Sequence, residues 1–224
     1  LIYSNWWKYT GAILVLYSII GGLLFENPSV LFLDETIRNL NYHVPMWFAM
    51  IALLTISVIY SIIYLKTFDL KYDVIASKCA SVSVFFGLMG LATGSVWAKF
   101  TWGDWWTADT KLNGAAIGVL MYLAYLILRN SLEDDVKKAR VAAVYSIFAY
   151  PLFIVFALIL PKMAANSMHP GSGDTVAFNE YPLNNKLRMT FYPAVMGWIA
   201  MGWWMTTILI RNAFLILKKQ SNEV

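Results

Sequence analysis

Long apolar runs alternate along this chain with short stretches that carry most of its charges and turn formers. Six runs are long enough to cross a bilayer: about Tyr9 to Phe25, Pro45 to Leu65, Ala80 to Trp97, Leu112 to Leu128, Val141 to Leu160 and Phe191 to Ile210. About 20 apolar residues in a helix cover the hydrocarbon layer, and a helix satisfies its own backbone there. The pattern therefore predicts an all-α integral membrane bundle of six transmembrane helices, one polytopic domain over residues 1–224. Pro45 falls where a first-turn proline is tolerated. Pro151 lies inside the fifth run, where the lost backbone donor predicts a kink. Glu26-Asn27-Pro28 follows the first run in place of a small-residue cleavage site, so that run reads as a retained span.

Composition agrees with this reading and adds an orientation. The chain is 59% hydrophobic and 13% charged, with a mean hydropathy of +0.59, whereas soluble domains carry about 25% charge. The net charge of +4 follows from the loops and gives no reason to expect a nucleic-acid partner. Lysine and arginine collect on the cytoplasmic side of membrane proteins. One set of ends holds Lys8, Lys66, Lys71, Lys78, Arg129, Lys137, Lys138, Arg140, Arg211, Lys218 and Lys219, which is eleven of the seventeen basic residues. Both termini are therefore expected in the cytoplasm. Glu26 to Val44, Ala98 to Lys111 and Pro161 to Thr190 become the outward loops. The single cysteine, Cys79, excludes an intrachain disulfide and reads as a packing residue. Gly87, Gly90 and Gly94 share one face of the third helix, where small residues let backbones approach. The Arg129 to Arg140 loop, with Glu133, Asp134 and Asp135 before Lys137 and Lys138, reads as a solvated helix end or a contact for an ATPase.

Almost no ionisable residues fall inside the six runs, which argues against proton pumps and ion-coupled carriers. Chemistry is then expected at the membrane faces. The two histidines of the chain, His43 and His169, both fall in outward loops, where they are either surface residues or imidazole ligands to one metal. Between Trp97 and Asp109 stand Trp97, Trp102, Trp105 and Trp106, four of ten tryptophans. An interfacial belt spreads such rings over many helix ends; clustering them with Gly103 makes a broad apolar surface suited to a planar ligand. Arg38, Lys111, Lys186 and Arg188 are the nearby cations available to carboxylates, Arg38 first among them. The residues alone leave three readings open: a haem-binding protein, a bis-histidine electron-transfer cytochrome subunit, and a structural membrane subunit of an ABC-type complex with no ligand of its own. Membrane cytochromes hold their ligands within helices, so two loop histidines favour the first.

The segment Trp102-Gly103-Asp104-Trp105-Trp106-Thr107-Ala108-Asp109-Thr110-Lys111-Leu112 resembles the tryptophan-rich signature of the haem-handling proteins, W-G-x-W-W-x-W-D-x-R-L. Ala108 stands at the third tryptophan and Lys111 at the arginine. Arg38 and His43-Val44-Pro45 resemble the first-histidine motif of one branch, the haem exporter protein C family of system I cytochrome c maturation. The resemblance covers essentially the whole chain, and the absence of intramembrane histidines favours this branch over larger relatives. It implies haem b as the bound group, His43 and His169 as its axial ligands, Trp102, Trp105 and Trp106 as its platform, and Asp109 as the residue fixing the loop. It also implies a non-enzymatic role in the bacterial inner membrane, haem facing the periplasm. The partners it implies are a periplasmic haem chaperone, the ATPase and permease subunits of an ABC transporter, and a small single-span helper protein.

Overall fold

The computed structural model describes residues 5–25, 34–164, 167–169 and 185–222, with side chains at all of these except 186 and 220–222. Most of the third expected outward loop, and residues 26–33 of the first, lie outside the described residues. Helix α1 is Trp6–Leu24, a 3-10 helix covers Asp34–Asn41, and α2 is His43–Thr67. Helix α3 is Leu70–Trp102, α4 is Thr110–Asn130 and α5 is Asp135–Ile154. A π-helical turn, Val155–Ile159, continues α5 into the short α6, Leu160–Met163, and α7 is Asn185–Asn222. Among the described residues, six helical segments are long and apolar enough to cross a membrane, as the hydropathy pattern predicts.

The helices overrun the apolar runs where polar residues find partners. Helix α3 begins ten residues before the expected Ala80 because Asp69 caps it, accepting from the Lys71 backbone N–H at 3.0 Å. Such a cap satisfies one of the amides that every helix start leaves open. At 33 residues and 1.5 Å per residue, α3 is about 50 Å long, more than the hydrocarbon layer needs. Its other end takes in Trp97 to Trp102, so the expected loop from Ala98 shrinks to the segment between α3 and α4. Gly103, at φ +87°, ends α3 in the left-handed region and donates to the Lys99 carbonyl. Only glycine adopts that conformation at no steric cost.

Helix α2 is central, packed on α3, α5 and α7, while α1 lies mainly against α7. Met50, Leu53, Leu54, Phe86, Tyr122 and Phe153 are buried between them, and Cys79 is fully buried, as its sequence position predicts. Lipid supplies no hydrophobic force between helices, so close approach has to come from small residues. The glycine stripe of α3 does this one residue at a time. A Cβ at Gly87 would meet Met50, at Gly90 the Trp47 ring, and at Gly94 the His43 ring. The stripe thus sets the register of α2 on α3.

Pro151 leaves α5 helical, and the change of hydrogen bonding follows four residues later, in the π turn. That turn bulges against α4 at Gly114, where a Cβ would lie only 2.0 Å from the Phe156 carbonyl oxygen. At the opposite ends of these helices, Arg129 grips the Asp73 carboxylate with both Nη1 and Nη2, at 2.7 and 2.5 Å. Hydropathy reads both residues as loop charges, yet their side chains are 14% and 8% exposed.

Candidate functional site

Where the N-terminal end of α2, the C-terminal end of α3, the start of α4 and the π turn meet, they enclose a cavity of about 530 Å³. Both histidines line it. Their ring centres are 6.5 Å apart, with the planes inclined at 43°. His43 is the first residue of α2, a correction to its expected loop position. The contrast with membrane cytochromes therefore rests on His169 alone, which lies in irregular backbone after α6.

Thr93 on α3 positions the His43 ring. Its Oγ1 donates to the carbonyls of Met89 and Gly90 at 2.9 and 3.2 Å, and lies 3.1 Å from His43 Nδ1. A hydroxyl has one proton. With that proton turned to the helix backbone, the oxygen accepts from Nδ1–H and leaves Nε2 with a free lone pair. This outer hydrogen bond fixes the tautomer, as it does for metal-binding histidines generally. Gly94 gives the ring its room.

His169 is held by a different device. Asp109, buried at 5% exposure, caps α4 through Oδ1 to the Lys111 backbone N–H at 2.8 Å. Its Oδ2 accepts from Ser167 Oγ at 2.9 Å and from the Met168 backbone N–H at 2.8 Å. Ser167 Oγ in turn accepts from the His169 backbone N–H at 3.2 Å. One carboxylate thus ties the start of α4 to the segment carrying the second histidine. Trp97 and Trp102, packed edge to face at 4.8 Å, back the His169 ring at 5.7 and 6.4 Å. The Trp97 Nε1–H donates to the Thr36 carbonyl, tying α3 to the 3-10 helix.

The tryptophans divide in role. Trp106 is on the cavity wall with Trp97 and Trp47, and its Nε1–H donates to Asn113 Oδ1 at 3.1 Å. Trp102 supports His169 from behind. Trp105 is 57% exposed, and its carbonyl accepts from Ser95 Oγ at 2.8 Å, which holds the loop down. Lys111 lines the cavity and donates from Nζ to the Ala157 carbonyl of the π turn at 2.8 Å. Arg38 is engaged elsewhere: Nε pairs with Glu35 and Nη1 donates to the carbonyls of Gly22, Leu23 and Phe25, closing the end of α1. Arg188 is exposed on α7, and the side chain of Lys186 lies outside the described residues.

Sequence reasoning passed over Trp47, Thr93, Ser167 and Lys162. Trp47 had a signal, since it follows His43 by one helical turn and so shares its face. Thr93 and Ser167 had none, because hydroxyls with such neighbours occur throughout the chain.

These features define a polytopic helical membrane protein with an aromatic-walled cavity at one end of the bundle and two imidazoles among its lining residues. The chain belongs to the heme exporter protein C family, whose model matches residues 2–224. Among curated relatives, it is similar to the heme exporter protein C of Bradyrhizobium diazoefficiens, at 36% identity over 75 residues, 34% of this chain and 28% of that protein. It is similar to that of Paracoccus denitrificans at 27% identity over 158 residues, 70% of this chain and 64% of the relative. The Escherichia coli protein of the same name is 23% identical over 146 residues, 63% of this chain and 55% of the relative. The matched regions thus span less than two thirds of each of these relatives.

Proposed function

We propose that this chain holds haem b at the outer face of a bacterial inner membrane, with His43 and His169 as axial ligands, and presents it to a periplasmic haem chaperone for c-type cytochrome biogenesis. The observation that carries the reading is the histidine pair at the cavity wall. Two imidazoles bound to opposite sides of one metal, with bonds of about 2.0–2.1 Å, bring their ring centres to roughly 6 Å apart. The 6.5 Å separation of His43 and His169 suits that arrangement, and the donor set of two neutral imidazoles suits haem iron. The cavity is of ordinary ligand-binding size, and its walls of tryptophan, glycine and alanine suit a flat apolar ring. Family membership supports the same reading.

In this account haem is cargo, and the chain's residues hold it without breaking a covalent bond. Trp47, Trp97 and Trp106 offer apolar surface, each buried aromatic contributing about 1.5–3 kcal/mol. The ligands differ in firmness. His43 is set in a helix, against the α3 backbone. His169 lies in irregular backbone positioned through Asp109 and Ser167, and in this account it is the ligand that exchanges when a chaperone takes the haem. The excess of lysine and arginine at the opposite helix ends supports a periplasmic position for this face. ABC transporter ATPase and permease subunits and a small single-span helper protein complete the proposed assembly.

The test is a titration of the purified full chain with ferric haem, followed at the Soret band. The expected result is a six-coordinate low-spin spectrum that His43→Ala and His169→Ala each convert to a five-coordinate or unbound one. A bis-histidine spectrum surviving in both variants would sink the ligand assignment. No Soret band in the wild-type chain would sink the haem reading.

A further inference from the structure

One side of the cavity is cationic, and the described residues that line it supply no counter-charge. Lys111, in the first turn of α4, uses one donor on the Ala157 carbonyl, and an ammonium has three. Lys162, in α6, lines the same cavity and is near enough for its charge to act on Lys111. Among the described residues, no aspartate or glutamate lines this cavity. Asp109, the acid next to Lys111 in charge contact, already accepts from Ser167 Oγ and from the backbone amides of Lys111 and Met168. Two like charges beside an apolar cavity disfavour one another, and an anion placed between them relieves both. Arg38, the cation that sequence reasoning ranked first for this task, closes the end of α1 and is not on the cavity wall.

We propose that Lys111 and Lys162 form a carboxylate-binding edge that receives the two propionates of haem and so fixes which way round the porphyrin enters. The assignment rests on the haem reading above. It gives Lys162 a ligand contact and turns the carboxylates toward α4 and α6, leaving the tryptophan and glycine walls for the uncharged part of the ring.

The experiment compares ferric haem with its propionate dimethyl ester, which keeps the iron and the ring and removes both negative charges. Each is titrated into the full chain in lipid nanodiscs, as wild type, Lys162→Gln and Lys162→Arg. Lys162 is exposed, so its replacement leaves the fold intact, and equal melting temperatures verify this. Lys162→Gln is expected to weaken haem binding about three- to tenfold, as loss of a partly exposed charge-assisted contact does. It is expected to leave the ester unchanged, and Lys162→Arg to restore the haem value. Equal losses for acid and ester, or no loss for either, overturn the lysine assignment. Absence of a histidine-dependent Soret band in the wild-type chain overturns the haem reading and this inference together. A normal band with an unchanged acid-to-ester ratio overturns only this one.

Discussion

Replacing Gly94 with alanine adds one methyl group on the face of α3 that meets α2 and directs it at His43. The added Cβ would lie 2.7 Å from Cε1 of the ring, 3.3 Å from Nδ1 and 3.6 Å from Nε2. Carbon atoms rest at about 3.5–4.0 Å, so the ring has to retreat by roughly 0.8 Å or more. The backbone of α2 is a poor route of escape, because Trp47 and Met50 are seated on Gly90 and Gly87 of the same stripe. The ring itself therefore moves, away from α3 and from Thr93. Ligand geometry tolerates about 0.5 Å of displacement, and loss of an outer-shell partner of a metal-binding histidine costs about 10- to 100-fold in affinity. Gly94→Ala should therefore weaken ferric haem binding by about that factor and reduce the low-spin fraction, with both histidines still present. Gly87→Ala is the control: it adds the same methyl to the same face, but against the Met50 thioether and a Val119 methyl, both at 2.8 Å, and not against His43. Haem titration and the ferric electron paramagnetic resonance spectrum read the outcome. Wild-type affinity and spectrum in Gly94→Ala, or an equal loss in Gly87→Ala, would refute the idea that the stripe seats the ligand.

Thr93→Val should lower haem affinity about tenfold or more, while Thr93→Ser retains it; equal behaviour of the two variants in the titration would show that the hydroxyl has no role at His43. Asp109→Asn should loosen the segment at Ser167 to His169, seen as faster amide exchange there and about tenfold weaker haem binding, with α2 unaffected. At the other end of the bundle, Asp73→Ala strands the Arg129 guanidinium and should cost about 3–5 kcal/mol in detergent unfolding. Asp73→Leu combined with Arg129→Met should recover much of that loss, because an apolar pair of similar volume needs no counter-charge. A single-variant cost under 1 kcal/mol would mean that the pair is solvated in the folded protein.

Hydropathy determined the number of membrane-crossing helices, because lipid penalises an unpaired peptide group so heavily that about 20 apolar residues leave the chain little choice. It also marked the tryptophan segment, the two histidines and Asp109, since rare residue types gathered in one stretch are visible without any coordinates. Helix ends were less legible. Lys71, Asp73 and Lys78 read as loop, yet Asp69 caps that helix and Arg129 meets Asp73 from another one, a pairing 56 residues apart. The same limit applies at the site. Arg38 and His43 are near neighbours in sequence, and only the fold sends the first to the carbonyls of α1 and the second to the cavity. The glycine stripe is plain in the sequence as a packing face, but what it packs is decided by the register of α2, which puts His43 at Gly94. The link from Asp109 to Ser167 and the meeting of Lys111 with Lys162 arise because α4 and the turn after α5 close over one cavity. Local preference forms each helix, and the partners of its polar groups are chosen when the helices come together.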